Sequence, residues 1–114
     1  MSAATNTTMK QRNWSTFLKL FSEQNRARPT RLGVLKSEFG ATTDYWIEDG
    51  LPLAGIDVDA HGEMPTVEIM LGDDFTHTIK DARNIKLNFS FDGNGDGLDI
   101  TDADGKTTIL RFEN

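Results

Sequence analysis

The sequence contains no cysteine among its 114 residues. Disulfide bonds, thiolate metal sites and cysteine nucleophiles are therefore excluded, and we expect a reducing, cytoplasmic location. Long apolar runs are also missing, so no segment predicts a membrane span and we expect no membrane partner. The start, MSAATNTTMKQR, lacks the apolar stretch of a secretory signal and predicts a flexible N-terminal tail over residues 1–12.

Recognisable catalytic motifs are missing as well. The chain has no nucleophile elbow, phosphate-binding loop or dinucleotide glycine pattern. Its 37% hydrophobic and 26% charged residues are typical of a folded protein, and its length suits one core, so residues 13–114 predict a single α+β domain. Without a convergent acid, base and nucleophile, we expect a non-enzymatic binding or assembly module that acts through a protein partner or through self-association.

Charge is unevenly distributed along the chain. The net charge is -6, which disfavours nucleic acid as a partner. Residues 1–36 hold seven basic residues and one acid, whereas residues 37–114 hold five basic and 17 acidic residues. This division predicts two oppositely charged surfaces.

Residues 13–26 carry a helical period. Their apolar side chains recur at i, i+3, i+4 and i+7, which makes one stripe. The stripe consists of Trp14, Phe17, Leu18 and Phe21. Asn13 is the expected N-cap, with Ser15 and Thr16 as alternatives. Pro29 is expected to end the helix, because the residue before a proline avoids the helical region.

From residue 30 onward, apolar and polar residues alternate as they do in half-buried strands. The segments NIKLNFSF, TVEIML, GIDVD, LDIT and TTILRF show this best, and 31–36, 44–48 and 75–79 are weaker candidates. The connections are short and rich in turn residues, so neighbouring strands must pair mostly antiparallel. We predict an α+β fold in which one N-terminal amphipathic helix packs on a curved antiparallel β-sheet, a meander or half-barrel of roughly six to eight strands.

Four short motifs follow one another along the chain. They are W-x-x-F-L-x-x-F at Trp14, Phe17, Leu18 and Phe21; P-L-x-G-x-x-x-D at Pro52, Leu53, Gly55 and Asp59; H-x-I at His77 and Ile79; and D-G-x-x-T-x-L-R-F at Asp104, Gly105, Thr108, Leu110, Arg111 and Phe112. In this order they resemble an uncharacterised family of small bacterial proteins, a domain of unknown function. The resemblance implies a bacterial origin and a compact α+β domain, and it implies no activity.

The segment SFDGNGDGLDITDADG, residues 90–105, begins with the spacing of a calcium loop. The ligand positions 1, 3 and 5 of an EF-hand fall on Asp92, Asn94 and Asp96, and Gly97 occupies the glycine position 6. Position 12, which is normally a bidentate acid, is Ala103, so an EF-hand is not expected.

A looser calcium site remains an alternative for this segment. Asp99, Asp102 or Asp104 would then supply the missing oxygens, and calcium would be the only cofactor. The other interpretation is a pair of hairpin turns, since Asp-Gly and Asn-Gly steps supply residues with positive φ.

His77 is the one candidate catalytic residue, for a small-ligand site or a weak hydrolytic enzyme. It needs an orienting carboxylate. Asp73, Asp74 and Asp81 are near in sequence, and Asp57 or Asp59 from a neighbouring strand are further candidates. The alternative is a structural histidine bonded to backbone or to threonine. Asp59, His61 and Glu63 alternate and would form a metal site, but Gly62 and Pro65 favour an ordinary turn.

Basic residues near the helix are the candidate partner-binding residues. They are Arg12, Lys19, Arg26, Arg28 and Arg31. An acidic protein surface is the expected partner, and a second copy of this acidic chain would supply one as a homodimer. Trp46, Met70 and Ile109 alternate out of phase with the core residues and are the expected members of such an interface.

Overall fold

The computed structural model describes residues 5–8, 10–38, 41–60, 64–89 and 97–113. Within these ranges the chain forms one α-helix and eight strands. In chain order they are β1 Thr5–Thr8, α1 Trp14–Gln24, β2 Pro29–Glu38, β3 Ala41–Asp59, β4 Thr66–Leu71, β5 Phe75–Ile79, β6 Ala82–Phe89, β7 Gly97–Asp102 and β8 Thr107–Phe112. A turn of 3-10 helix, Gln11–Asn13, leads into α1.

The strands form one antiparallel sheet in the order β1-β6-β7-β8-β2-β3-β4-β5. Two meanders, β2 to β5 and β6 to β8, are joined side by side where β8 pairs with β2. The sheet curls strongly. The curl brings His77 Nε2 on the edge strand β5 to within 3.2 Å of Thr108 Oγ1 on β8. Among the described strands, β5 and β1 do not pair, so the sheet stays open there. One helix on a curved antiparallel sheet confirms the predicted α+β class.

The apolar stripe of α1 closes the core. Trp14, Leu18 and Phe21 are at most 6% exposed and pack among the inward side chains of the strands. Strands β4, β7 and β8 contribute every second residue to this core, as period-two burial requires. A bulge near the start of β6 shifts its inward residues from Ala82 to Ile85 and Leu87. The aromatic stripe predicted from the sequence therefore does cover the sheet.

The helix ends at Gln24, earlier than the predicted stop at Pro29. At this end the Asn25 backbone N–H and side-chain amide both donate to the carbonyl of Phe21, over 3.1 and 2.9 Å. Ala27 then turns the chain with φ 69°. Asn13 occupies the N-cap position, as predicted, but its backbone is helical and its side chain makes no capping hydrogen bond.

Strand β3 runs unbroken over 19 residues, through the EDGLP segment that is rich in turn residues. Gly50, with φ 100°, and two register shifts against β2 let the strand bend without ending. Residues 5–8 pair with β6 inside the stretch predicted as a flexible tail. The flexibility of that tail stays a prediction.

Candidate functional site: a groove between the helix and the edge of β3

Strand β3 changes its partner halfway along. Its first part pairs with β2 as far as Pro52, and its second part pairs with β4 from Leu53 to Asp59. On the β2 side, the last two bonds join Ala27 N to the Leu53 carbonyl at 2.9 Å and Leu53 N to the Arg28 carbonyl at 3.0 Å. Past these two bonds, helix α1 lies beside β3 on this side in place of a strand.

The second half of β3 thus has an open edge, residues 54–59. Among the described residues, no strand pairs with this side of it. Leu53 directs both its N–H and its C=O to this side. Along a strand, the side on which a residue's N–H and C=O groups point alternates in step with its side-chain direction. Ile56 and Val58 face inward as Leu53 does. We therefore infer that their N–H and C=O groups also point to the open edge.

Helix α1 forms the opposite wall of a groove along this edge. The groove has a volume of about 710 Å³. Four residues of α1 line it, and they recur at i, i+4, i+7 and i+8 beside the buried stripe, as one helix face requires. They are Ser15, Lys19, Ser22 and Glu23. Arg26, in the turn after the helix, lines it too. The groove therefore has a helix on one side and strand backbone on the other.

Acidic side chains dominate the sheet wall of the groove. Asp57 on β3 is exposed and lies directly opposite Glu68 on β4. Asp59 follows two residues later on the same outer face, opposite Thr66. Four acidic and two basic side chains line the groove in all, so its charge is net negative.

The predicted basic residues do not form one surface. Lys19 and Arg26 lie in the groove, and Arg12 is exposed before α1. Arg28 stacks on the Phe112 ring, 4.3 Å from its centroid, and donates to Asn25 Oδ1 over 2.8 Å. These contacts hold the Arg28 side chain against the fold.

Arg31 belongs to a separate patch on the outer face of the sheet. Its guanidinium lies 4.1 Å from the centroid of the Trp46 ring. Its Nε lies 3.4 Å from Glu113 and 3.7 Å from Asp49. A hydrogen bond with Asp49 raises the pKa of Glu113, as do burial and the Asp49 charge, against the opposing effect of Arg31.

The three predicted interface residues lie at two different places. Trp46, 49% exposed, and Ile109 line a hollow of about 240 Å³ on the outer face over Gly33. Met70 instead lines the helix–strand groove, beside Gly55. The structure does not bring the three residues together on one surface.

His77 points into the curled sheet rather than toward Asp57. It is paired with the fully buried Ile69 and shares its inward face, whereas Asp57 lies on the outer face. The ring Nε2 is bonded to Thr108, and burial, followed by Lys106, lowers the pKa of His77. A hollow of about 310 Å³ opens beside the ring, so a catalytic role for His77 stays a prediction.

Half of the proposed calcium ligands, Asp92, Asn94 and Asp96, lie outside the described residues. Asp99 is bonded to Arg111 at 2.9 Å on the outer face of β7. Asp102 lies at the end of β7 and its Oδ1 accepts the N–H groups of Asp104 and Lys106. Asp99 and Asp102 face opposite sides of the sheet, so they do not converge on one ion.

Gly97 has a structural reason to be glycine that involves no metal. It lies in β7, opposite Arg111. A Cβ at this position would collide with the carbonyl oxygen of Leu110 and approach the Arg111 side chain to 2.7 Å. The close packing of β7 on β8 therefore explains the residue that matches the EF-hand glycine.

The other proposed metal ligands, His61 and Glu63, lie outside the described residues. Within the described ranges, no group of three or more histidine, aspartate and glutamate side chains is placed to hold a metal ion. Sequence reasoning missed the groove, because it treated Asp57 and Asp59 as the solvent face of an ordinary strand. Their alternation with Ile56 and Val58 shows a half-buried strand, but no sequence signal shows that one of its edges is open.

Comparison with known proteins places the chain in a family. Residues 5–114 match the model of a family described only as of unknown function, DUF5335. No curated protein and no solved structure matches the chain. In the described part of the chain, no helix has the length and hydropathy of a membrane span. The chain therefore belongs to DUF5335, a family of unknown function.

Proposed function

We propose that the protein is a non-enzymatic binding module that holds a segment of a partner protein in the groove between α1 and β3. The open edge of β3 is the observation that carries the proposal. A strand edge presents N–H and C=O groups in a row, and an extended peptide adds to such an edge through main-chain hydrogen bonds. The helix beside the edge supplies side-chain contacts to the same peptide.

The dimensions of the groove support this role. A strand rises by about 3.3 Å per residue, so the edge of residues 54–59 matches a bound segment of about six residues. The groove volume of about 710 Å³ is within the range of ligand sites, about 300–1,000 Å³. If the edge only had to be protected from aggregation, we would expect α1 to pack directly on it and to leave no groove.

Binding in this groove needs no catalytic group. Its described lining contains no histidine. The enzyme and calcium alternatives depend on His77 and on residues 92–104, which are not part of the groove. Both alternatives stay predictions beside this proposal.

Selection from a library of random unstructured peptides tests the proposal without assuming a ligand sequence. Binders are titrated into ¹⁵N-labelled protein, and the shifted amide resonances are mapped. We expect the largest shifts at residues 54–58 and on the groove face of α1. Binders that shift only the hollow at Trp46, or a library that yields no binder, would contradict the proposal.

A pair of variants at Val58 sharpens this test. Val58→Pro removes an N–H from the open edge, where proline costs no bond to β4. Val58→Thr keeps both the N–H and the β-branched shape. We expect the proline variant to keep the fold, as judged from its amide spectrum, and to lose peptide binding, whereas the threonine variant binds.

A further inference from the structure

We infer that the groove selects an extended segment in which basic residues alternate with small apolar residues. This inference rests on the proposed function, since it names the ligand of the same groove. It follows from the way an added strand continues the two faces of the sheet. Every second side chain of the ligand must lie on the outer face, and the others must point inward.

The outer positions of the ligand lie beside carboxylates. Asp57 is exposed on this face, and Glu68 lies directly behind it on β4. Cross-strand neighbours on one face come within about 5.5 Å, where opposite charges stabilise the pair and like charges destabilise it. Lysine or arginine at these positions therefore fits, and an acidic residue does not.

The inner positions of the ligand lie beside apolar and short side chains. Ile56 is 4% exposed and Val58 is half-buried against the core. Ser15 and Ser22 of α1 line the opposite wall. Small apolar side chains such as valine extend the core here without leaving a polar group unpaired.

The basic residues on the helix side of the groove do not reverse this preference. Lys19 on α1 and Arg26 in the turn after it are exposed, and the acidic Glu23 lies between them in the chain. Acidic side chains outnumber basic ones four to two around the groove, and the chain as a whole carries -6. The field of the protein thus also steers a basic segment toward the groove.

Three capped eight-residue peptides test the inference, with lysine, glutamine or glutamate alternating with valine. Affinities are measured by NMR titration of the residue 54–58 amides. We expect the lysine peptide to bind about tenfold more tightly than the glutamine peptide, which is about 1.4 kcal/mol, and the glutamate peptide to bind weakest. The advantage of lysine should shrink at high salt.

A charge-swapped variant ties the selectivity to one residue. Asp57→Lys should bring the glutamate peptide above the lysine peptide. Asp104→Lys makes the same charge change in an exposed turn after β7 and should leave the order unchanged. An equal effect of both variants would show that net charge, rather than the groove, sets the selectivity, and would overturn the inference.

The three peptides distinguish a failure of the charge preference from a failure of the proposed function. If all three peptides shift the residue 54–58 amides with equal affinity, the groove binds extended segments and the charge inference is wrong. If none of them shifts these amides and the random library yields no groove binder, the proposed function is wrong as well.

Discussion

Trp46 packs directly on Gly33, and this contact leaves no room for a side chain at residue 33. A Cβ there would lie 2.7 Å from Cε3 and 2.9 Å from Cζ3 of the indole. The glycine thus lets an aromatic ring lie flat on the outer face of the sheet. Arg31 covers the ring from outside. The tryptophan is held by packing even though half of it is exposed.

We predict that Gly33→Ala lowers the free energy of unfolding by about 1–3 kcal/mol, because the added methyl group forces the ring away. Urea denaturation measures the change. In a Trp46→Ala background the same substitution should cost much less, since the obstacle has been removed. Equal costs in both backgrounds would contradict the packing explanation.

His77 predicts a pH dependence of stability. Its pKa in the folded protein is lowered from 6.5, first by burial and then by Lys106. Below pH 6.5 the unfolded chain binds more protons than the folded one, so the free energy of unfolding falls as the pH drops toward the lowered pKa. Above pH 6.5 both states are neutral at this residue and the effect disappears.

We predict that His77→Gln reduces this acid sensitivity. Urea denaturation at about pH 7.5 and about pH 5.5 should show a smaller loss of stability in the variant than in the original protein. Comparing the two proteins cancels the contribution of the carboxylates, which both share. An equal loss would mean that His77 titrates alike in the folded and unfolded states.

At the scale of elements, the connection from α1 to β2 decides where the groove lies. Asn25 ends the helix, Ala27 turns the chain, and β2 begins at Pro29. Because β2 begins there, the part of β3 beyond Leu53 has the helix beside it. The turn at Ala27 is strained, since a left-handed φ of 69° is unfavourable for any residue with a Cβ.

We predict that Ala27→Gly raises the free energy of unfolding by about 0.5–1 kcal/mol, because the relief of strain exceeds the added entropy of the unfolded chain. Thermal melting measures it. Ala54→Gly, in a strand where φ is not positive, is the matched control and should be destabilising. A loss of stability in both variants would show that Ala27 is not strained.

At the scale of the molecule, sequence periodicity predicted most of the fold. The stripe of α1 and the alternation in the strands depend on local spacing, so the helix, the strands after β1 and their inward faces were identified. Pairing of distant segments, such as β2 with β8 and β1 with β6, leaves no local pattern. The groove depends on those pairings and on where β2 begins, so it was not predictable.

The charge of the surfaces was also not predictable from the sequence. The basic residues 1–36 and the acidic residues 37–114 predicted two oppositely charged surfaces. In the structure, Lys19 and Arg26 share one groove with Asp57 and Glu68, because α1 folds back along β3. A net charge for each segment does not show which segments become neighbours.

We infer that Asp57 opposes pairing between the open β3 edges of two copies of the chain. Two copies that joined these edges would bring their Asp57 carboxylates close together, and such charges protect natural edge strands. We predict that Asp57→Val increases the solution mass relative to the original protein, as sedimentation measures. Asp104→Val, the control in an exposed turn, should not. Equal behaviour of the two variants would contradict a protective role for Asp57.

Hydrogen exchange at the β3 edge tests the central claim most directly. Saturation with the alternating lysine–valine peptide should slow amide exchange at Ile56 and Val58, whose N–H groups face the groove, by at least about tenfold. That slowing corresponds to about 1.4 kcal/mol of added protection. Peptide binding that leaves the exchange of these two amides unchanged would contradict strand addition at this edge.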